Sequence, residues 1–221
     1  MVDQHHDHPS TSLVSLSSIM PSWMLPPQAK EDRGKLTVVL DIDETLIHTT
    51  RSQAEPSKGL DTFVIKVQDE TFTVLKRPSL DVFLERAAAK YELISFTAGV
   101  EEYSKAVLEA IDPHRKYFKH HLFRQHCSLV NPTTIVKDLR ITNRCPTRVV
   151  LVDNTLSNFF LQPENGVPIT TFLDDAADNA LNVLLDFLTC LEPIHDVRVA
   201  LRNTFHLHDL FKLKFQHFLA A

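Results

Sequence analysis

Residues 36–45 of the chain, LTVVLDIDET, decide the fold. The apolar run at 36–40 predicts a buried β-strand, and Asp41 and Asp43 follow where that strand ends. Ligands of open α/β sheets bind at the carboxyl ends of the strands. Two neighbouring acids at such a place repel each other unless a cation or a proton is shared between them. The motif therefore predicts a metal site in which one carboxylate attacks a phosphoryl group and the other moves a proton.

Asp-x-Asp is a short pattern, and by itself it is more often a capped turn or a solvated loop than a catalytic centre. Further polar residues strengthen the catalytic interpretation. Thr97, Asp153 and Asn154 each follow a later apolar run that predicts a strand, and Lys137 lies between them in the chain. Carboxylate and amide oxygens suit Mg²⁺, whereas a hydroxyl and an ammonium group suit phosphate oxygens. Together these side chains supply the groups that a metal-dependent phosphatase needs.

Strand patterns that alternate with helix patterns predict an α/β fold with a doubly wound parallel sheet. Residues 63–67 and 71–75 predict a β-hairpin between the acidic motif and the first helix. The other predicted elements are strands at 92–96, 148–152 and 167–170 and helices at 78–87, 100–111, 177–191 and 197–218.

The composition limits the classes of function. The chain has 221 residues, 43% of them hydrophobic, which is enough to bury one core. Its formal net charge of −5 gives no support to nucleic-acid binding, which usually needs a basic surplus. No apolar stretch is long enough to span a bilayer, and three cysteines are too few for a disulfide scaffold. We therefore expect an intracellular monomer of the nucleus or cytoplasm, with no membrane span and no direct nucleic-acid partner.

Several blocks together resemble one known family. Residues 41–48, DIDETLIH, look like the DxDxT signature of the haloacid-dehalogenase (HAD) superfamily. The resemblance is closest to its FCP1/SCP-like serine/threonine phosphatases, the small CTD phosphatase and NLI-interacting-factor group. Further blocks follow in the family's order: LKRP at 75–78, SFTAG at 95–99, LFR at 122–124, VKDL at 136–139 and VDN at 152–154. The resemblance covers about residues 35–202.

The resemblance implies a catalytic role for each acidic residue. Asp41 would be the nucleophile that becomes phosphorylated, and Asp43 would protonate the leaving oxygen and later activate water. The cofactor would be Mg²⁺, held by the Asp41 carboxylate, the Asp43 backbone carbonyl and Asn154, with Asp153 in or next to this shell. The implied activity is that of an aspartate-based phosphoprotein phosphatase, a phosphoric monoester hydrolase.

The resemblance also implies a substrate. Thr97 and Lys137 would hold the phosphoryl oxygens, and Arg124 would help to bind a phosphorylated protein segment. The family's small inserted sheet, with no large cap domain, would leave the site open to such a segment. Arg51 stands where the small CTD phosphatases carry an aromatic residue for a substrate proline, and Gly99 stands where serine is common. Arg51 is expected to weaken proline-directed binding and to favour an acidic peptide, so the polymerase carboxy-terminal domain is a doubtful substrate.

The chain is expected to have three parts. Residues 1–34 predict a flexible N-terminal tail, because they are rich in histidine, serine and proline. Residues 35–205 would form the FCP1-homology phosphatase domain, and residues 206–221 a C-terminal helical extension rich in Phe and His.

Two alternative functions remain open. One is a catalytically weak scaffold or binding module of the same fold, although such modules often lose the catalytic carboxylates that this chain keeps. The other is a phosphatase of a small phosphate ester or a nucleic-acid end. A thiol-based phosphatase is excluded, because its arginine six residues after the cysteine is replaced by Thr133, Leu151 and Asp196.

Overall fold

A computed structural model describes residues 24–51 and 59–219. The strands formed by these residues are β1 Thr37–Leu40, β2 Ile47–Thr50, β3 Thr62–Val67, β4 Glu70–Lys76, β5 Glu92–Phe96, β6 Phe118–Leu122, β7 Ser128–Asn131, β8 Thr134–Val136, β9 Val149–Asp153 and β10 Gly166–Pro168. The α-helices are α1 Leu80–Lys90, α2 Glu101–Ile111, α3 Ala180–Leu191, α4 Val197–Phe205 and α5 Leu207–Leu219. These helices lack the length and apolar character of a membrane-spanning segment.

A five-stranded parallel sheet forms the centre, in the order β10-β9-β1-β5-β6. From β1 the chain builds first towards β5 and β6 and later, on the other side, towards β9 and β10. The prediction of a doubly wound α/β fold is therefore confirmed. The order of the strands reverses beside β1, and ligands bind at the carboxyl ends of strands where this reversal occurs.

The apolar run that precedes the acidic motif is buried on both faces of the sheet. Val38 and Leu40 belong to the larger hydrophobic cluster, while Val39, between them, belongs to the smaller cluster on the opposite face. Successive side chains of a strand point to opposite faces. A central parallel strand covered on both sides therefore needs a continuous apolar run, and not an alternating one.

A small antiparallel sheet, β2-β4-β3, follows the acidic motif. Its β3–β4 hairpin confirms the predicted hairpin, with a tight turn in which Gln68 adopts a positive φ of 53°. Strand β2 was not predicted from the sequence. We call β2–β4 the inserted sheet, since it lies in the chain between β1 and α1.

Three features differ from the sequence expectations. Strand β6, FKHHL, forms an edge of the central sheet and buries only its two end residues fully, so its pattern is not that of a buried strand. Residues 128–136, for which no strand was predicted, form the β7–β8 hairpin. The helix expected over 197–218 is broken at His206, whose φ of 50° ends α4 before α5 begins.

The predicted division into 1–34, 35–205 and 206–221 stays a prediction. Residues 1–23, with the histidine cluster, and the linker 52–58 lie outside the described residues. The described end of the predicted tail contacts the domain, because the Leu25 N–H donates to the Ile141 carbonyl at 2.8 Å. At the other boundary, Leu207 of α5 is buried in the smaller hydrophobic cluster.

Arg77 connects the acidic motif to the start of α3. Its guanidinium is fully buried and donates two bonds of 2.7 Å to the Asp178 carboxylate. It also donates to the Thr45 carbonyl at 2.9 Å and to the Thr170 hydroxyl at 2.8 Å. Arg77 thus fixes the loop that carries Asp41 and Asp43.

Replacing Arg77 by methionine is expected to lower the free energy of unfolding by about 3–5 kcal/mol, since the largely buried Asp178 carboxylate loses its charged partner. The neighbouring Lys76→Met is the matched control. Its ion pair with Asp81 is solvent-exposed, so its loss should cost about 0–1 kcal/mol. Urea unfolding measures both variants. Similar losses in the two would contradict this role of Arg77.

Candidate active site

Asp41 lies at the end of β1 in a closely hydrogen-bonded loop. Its N–H donates to the Val152 carbonyl of β9 at 3.0 Å, which continues the sheet by one residue. The Thr45 hydroxyl donates to Asp41 Oδ2 at 2.9 Å. Glu44 adopts a positive φ of 57°, so the chain turns sharply between these two residues. The Asp41 carboxylate is consequently held in a fixed position and is only 6% exposed.

Lys137 bridges two buried carboxylates at the ends of neighbouring strands. Its Nζ donates to Asp41 Oδ1 at 2.5 Å and to Asp153 Oδ2 at 2.6 Å. Asp153 also accepts from the Asn158 amide and from the Thr155 N–H, each at 2.8 Å. Lys137 lies between Thr97 and Asp153 in the chain, and the structure brings it into contact with Asp153 and with the more distant Asp41.

The charges of this cluster do not balance. Burial raises the pKa of Asp41 to about 7, opposed by Lys137 and reinforced by Asp153 and Asp43. Burial alone would lower the pKa of Lys137, but the carboxylates of Asp41 and Asp153 together raise it above its ordinary value. Lys137 therefore stays protonated, and its single ammonium contacts the carboxylates of Asp41 and Asp153, while the Asp43 carboxylate acts on Asp41. The surplus negative charge suits an additional cation.

Asp43 lies at the mouth of the site and accepts two hydrogen bonds. Tyr103 donates to its Oδ1 at 2.6 Å, and the Thr97 hydroxyl donates to its Oδ2 at 3.1 Å. The Gly99 N–H donates in turn to Thr97 Oγ1 at 2.8 Å. Thr97 therefore contacts Asp43, as expected from its position at the end of a neighbouring strand. Tyr103 was not predicted, because no motif distinguishes it among the residues of α2.

A groove of about 590 Å³ opens in front of Asp43, between the inserted sheet and the start of α2. Arg124 lines it and donates from Nε to the Ala98 carbonyl at 2.6 Å. Arg51 lines it as well, with its guanidinium 5.8 Å from the Phe72 ring centroid and 3.6 Å from the Glu70 carboxylate. Both arginines thus lie at the groove, and the role of Arg124 in binding a substrate stays a prediction.

The oxygen donors near Asp41 suit Mg²⁺. Among the described residues no group of three His, Cys, Asp or Glu side chains is arranged to hold a metal ion. Mg²⁺ does not need such a group, because it keeps several waters and takes one or two carboxylates. Asn154 follows Asp153 and is half-buried, and its amide donates to the Thr171 hydroxyl at 3.3 Å. Asp41 and Asp153 are the two buried carboxylates at this place, and the ligand roles of Asp41, Asp43, Asp153 and Asn154 stay predictions.

Gly99 and Ser104 fit together beside Asp43. A Cβ at position 99 would lie 2.6 Å from Ser104 Oγ, closer than real Cβ contacts, and 3.1 Å from Thr97 Oγ1. The Ser104 hydroxyl is buried and has no hydrogen-bond partner within the described part of the chain. The glycine, which departs from the family pattern, thus accompanies a serine that fills the space of its missing side chain.

Gly99→Ala is expected to lower the free energy of unfolding by about 1–3 kcal/mol through this overlap. Ser104→Ala alone should cost little, since it removes a hydroxyl that makes no bond. The double variant should recover most of the loss of Gly99→Ala. Denaturation of all four proteins gives the coupling free energy. Additive losses would show that Ser104 is not the cause.

The fold, with acidic residues at the ends of its central strands, can now be compared with known proteins. The chain is similar to the solved structure of an arginine-to-alanine variant of fission yeast RNA polymerase II CTD phosphatase Fcp1 bound to beryllium fluoride, with a TM-score of 0.51 at 18% identity. The match covers 77% of this chain and 54% of that one, and it establishes a HAD-type fold. The family model of the NLI interacting factor-like phosphatases matches residues 36–198, and the chain belongs to this family.

The chain is also similar to proteins that are named as CTD phosphatases. CTD small phosphatase-like protein 3 of Caenorhabditis elegans is 32% identical over 92% of this chain and 75% of its own length. CTD nuclear envelope phosphatase 1 of Xenopus tropicalis is 37% identical over 79% of this chain and 74% of its own length. Other relatives are longer: the chain spans 55% of a Schizosaccharomyces pombe relative and 34% of CTD small phosphatase-like protein 2 of Dictyostelium discoideum.

Proposed function

We propose that the protein is a Mg²⁺-dependent phosphatase of phosphoserine and phosphothreonine in proteins, acting through an aspartyl-phosphate on Asp41. The observation that carries this proposal is the buried Asp41–Lys137–Asp153 cluster with Asp43 beside it at an open groove. A nucleophile, a proton carrier, phosphate donors and a cation site are the parts that such a reaction needs.

The first step transfers the phosphoryl group to Asp41. An oxygen of Asp41 attacks phosphorus, the bond to the serine or threonine oxygen breaks, and its electron pair stays on that leaving oxygen. Asp43, protonated at this stage, gives its proton to the leaving oxygen. Thr97 and Lys137 donate to the phosphoryl oxygens, and Arg124 binds the phosphorylated segment in the groove.

The second step restores the enzyme. A water molecule attacks the phosphorus of the aspartyl-phosphate, and the bond to the Asp41 oxygen breaks with its electron pair returning to the carboxylate. Asp43, now ionised, takes the proton of the water and so becomes the acid for the next cycle. Phosphate leaves through the groove. The same residue thus serves as acid and then as base.

Mg²⁺ would be held by the carboxylates of Asp41 and Asp153, the backbone carbonyl of Asp43 and the side chain of Asn154. When bound, it offsets the negative charge that collects on phosphate and carboxylates. The surplus charge around Asp41 and the oxygen character of these donors support this assignment.

The open groove supports a macromolecular substrate. Between β1 and α1 the described chain forms the small inserted sheet and no larger unit above the site. Arg51 directly follows β2 and lines the groove, which supports a peptide other than a proline-directed one. Glu44, Glu70 and Glu102 also line the groove, so the preference for an acidic peptide would depend on Arg51 and Arg124 outweighing them. A monomer in the nucleus or cytoplasm is part of the same proposal.

Hydrolysis of matched peptides tests the proposal. Phosphoserine and phosphothreonine peptides should be hydrolysed with Mg²⁺, and the activity should vanish with EDTA and return with added Mg²⁺. The same metal dependence is expected with p-nitrophenyl phosphate, together with resistance to okadaic-type inhibitors. Phosphopeptide binding without turnover would support the scaffold alternative. Turnover confined to small esters would support the other alternative.

A further inference from the structure

We propose that Tyr103 is a positioning residue that fixes Oδ1 of Asp43 as a hydrogen-bond acceptor and thereby makes Oδ2 the oxygen that carries the catalytic proton. This inference rests on the proposed function, in which Asp43 alternates between acid and base. It gives Tyr103 of α2 a role in orienting Asp43, and it gives the inserted sheet a role in holding Tyr103.

The direction of the hydrogen bonds follows from counting protons. The Tyr103 oxygen lies 2.6 Å from Asp43 Oδ1 and 2.7 Å from Thr49 Oγ1. A phenol has one proton to donate, whereas its oxygen can accept. An ionised carboxylate accepts only, so Tyr103 must donate to Asp43 and Thr49 must donate to Tyr103. The chain of donors therefore runs from Thr49 to Tyr103 to Asp43.

This direction suits both forms of Asp43. When the carboxylate is ionised, Oδ1 accepts from Tyr103. When Asp43 carries a proton on Oδ2, Oδ1 is the carbonyl oxygen of the acid and still accepts the same bond. A proton on Oδ1 would instead force Tyr103 and then Thr49 to turn their hydroxyls away. The hydrogen bond from Tyr103 thus keeps the mobile proton on Oδ2 throughout the cycle.

The surroundings of Oδ2 suit proton transfer. The Thr97 hydroxyl donates to this oxygen at 3.1 Å, and Thr97 is also the proposed phosphoryl donor. Once Thr97 donates to a bound phosphoryl oxygen, Oδ2 is released beside the reacting group. Gly99 lines the groove next to Oδ2, and a Cβ at this position would lie 3.4 Å from that oxygen. Oδ2, and not Oδ1, is therefore the oxygen within reach of substrate.

The inserted sheet holds Tyr103 in place. The Tyr103 ring packs edge-to-face against Phe72 of β4, with ring centroids 5.7 Å apart and planes at 65°. Thr49 belongs to β2 of the same sheet. Gln68, in the β3–β4 turn, donates to Glu102 next to Tyr103 at 2.9 Å. The sheet that borders the groove therefore also orients the proton carrier.

Tyr103→Phe tests the inference, because it keeps the ring on Phe72 and removes only the hydroxyl. The first-turnover rate for a phosphoserine peptide, whose leaving oxygen needs a proton, should fall roughly 10–100-fold with little change in KM. The first-turnover rate for an aryl phosphate with an acidic phenol, measured before the attack of water that also uses Asp43, should fall less than about 3-fold. Thr49→Val should give a smaller loss of the same kind, and Thr49→Ser, which keeps the donor, should restore the wild-type rates.

Tyr91→Phe is the matched control, since the Tyr91 hydroxyl is also buried but has no hydrogen-bond partner among the described residues. It should leave both rates unchanged. Equal losses of Tyr103→Phe on the two substrates would show a general structural defect and overturn the inference, as would no loss on either. Inactivity of the wild-type protein on both substrates would overturn the proposed function itself and this role of Tyr103 with it.

Discussion

Asp41→Asn is expected to lower kcat by roughly 10⁴-fold or more, because the amide cannot form the phosphorylated intermediate. The substitution keeps the size of the side chain, and the Thr45 hydroxyl can still donate to the amide oxygen. Steady-state rates on a phosphopeptide and on p-nitrophenyl phosphate measure the loss, which should be similar for both substrates. Retention of more than about a tenth of the wild-type rate would exclude Asp41 as the nucleophile.

Beryllium fluoride provides a second measurement on the same residue. It mimics a phosphoryl group on a carboxylate, so it should inhibit the wild-type protein when Mg²⁺ is present. It should bind Asp41→Asn far more weakly, since the coordinating carboxylate is absent. Asp138→Asn is a suitable control, because that carboxylate follows Lys137 in the chain but is bound to Arg140 and Gln162. It should leave inhibition by beryllium fluoride unchanged.

Asp43→Asn is expected to slow the reaction by an amount that depends on the leaving group. With a phosphoserine peptide kcat should fall by about 10²–10⁴-fold, since the serine oxygen must leave without a proton. With an aryl phosphate of an acidic phenol the transfer to Asp41 should slow much less. Rapid-quench measurement of the first turnover separates this step from the later attack of water, which also uses Asp43. Equal losses in first-turnover rate on the two substrates would contradict the assignment of the acid.

Most of the central sheet could be predicted, because each of its buried strands is marked by a short apolar run in the sequence. Residues 36–40 are apolar without interruption, as a strand covered on both faces requires. Strand ends also locate polar groups, so Asp41, Thr97 and Asp153 were expected at one edge of the sheet. The contacts of Lys137 with Asp41 and Asp153 agree with that expectation of proximity.

The remaining features depend on contacts between residues that are far apart in sequence. Tyr103 contacts Asp43 across 60 positions, and Arg77 contacts Asp178 across 101. No periodicity or motif identifies such partners. A tyrosine within a helix, or an arginine just before one, can form hydrogen bonds with many different parts of a protein, and the sequence does not show which. Strand β6 was not predicted for a related reason. It forms by pairing with β5, and most of its own residues are polar.

Trapping of the phosphorylated enzyme tests the central claim most directly. The wild-type protein, mixed with Mg²⁺ and a labelled phosphoprotein or aryl phosphate, is quenched in acid during turnover and digested for mass spectrometry. The label should lie on the peptide that contains Asp41, should be released by hydroxylamine as expected of an acyl phosphate, and should be absent in Asp41→Asn. Turnover that leaves Asp41 unlabelled, or label found on another residue, would contradict the account.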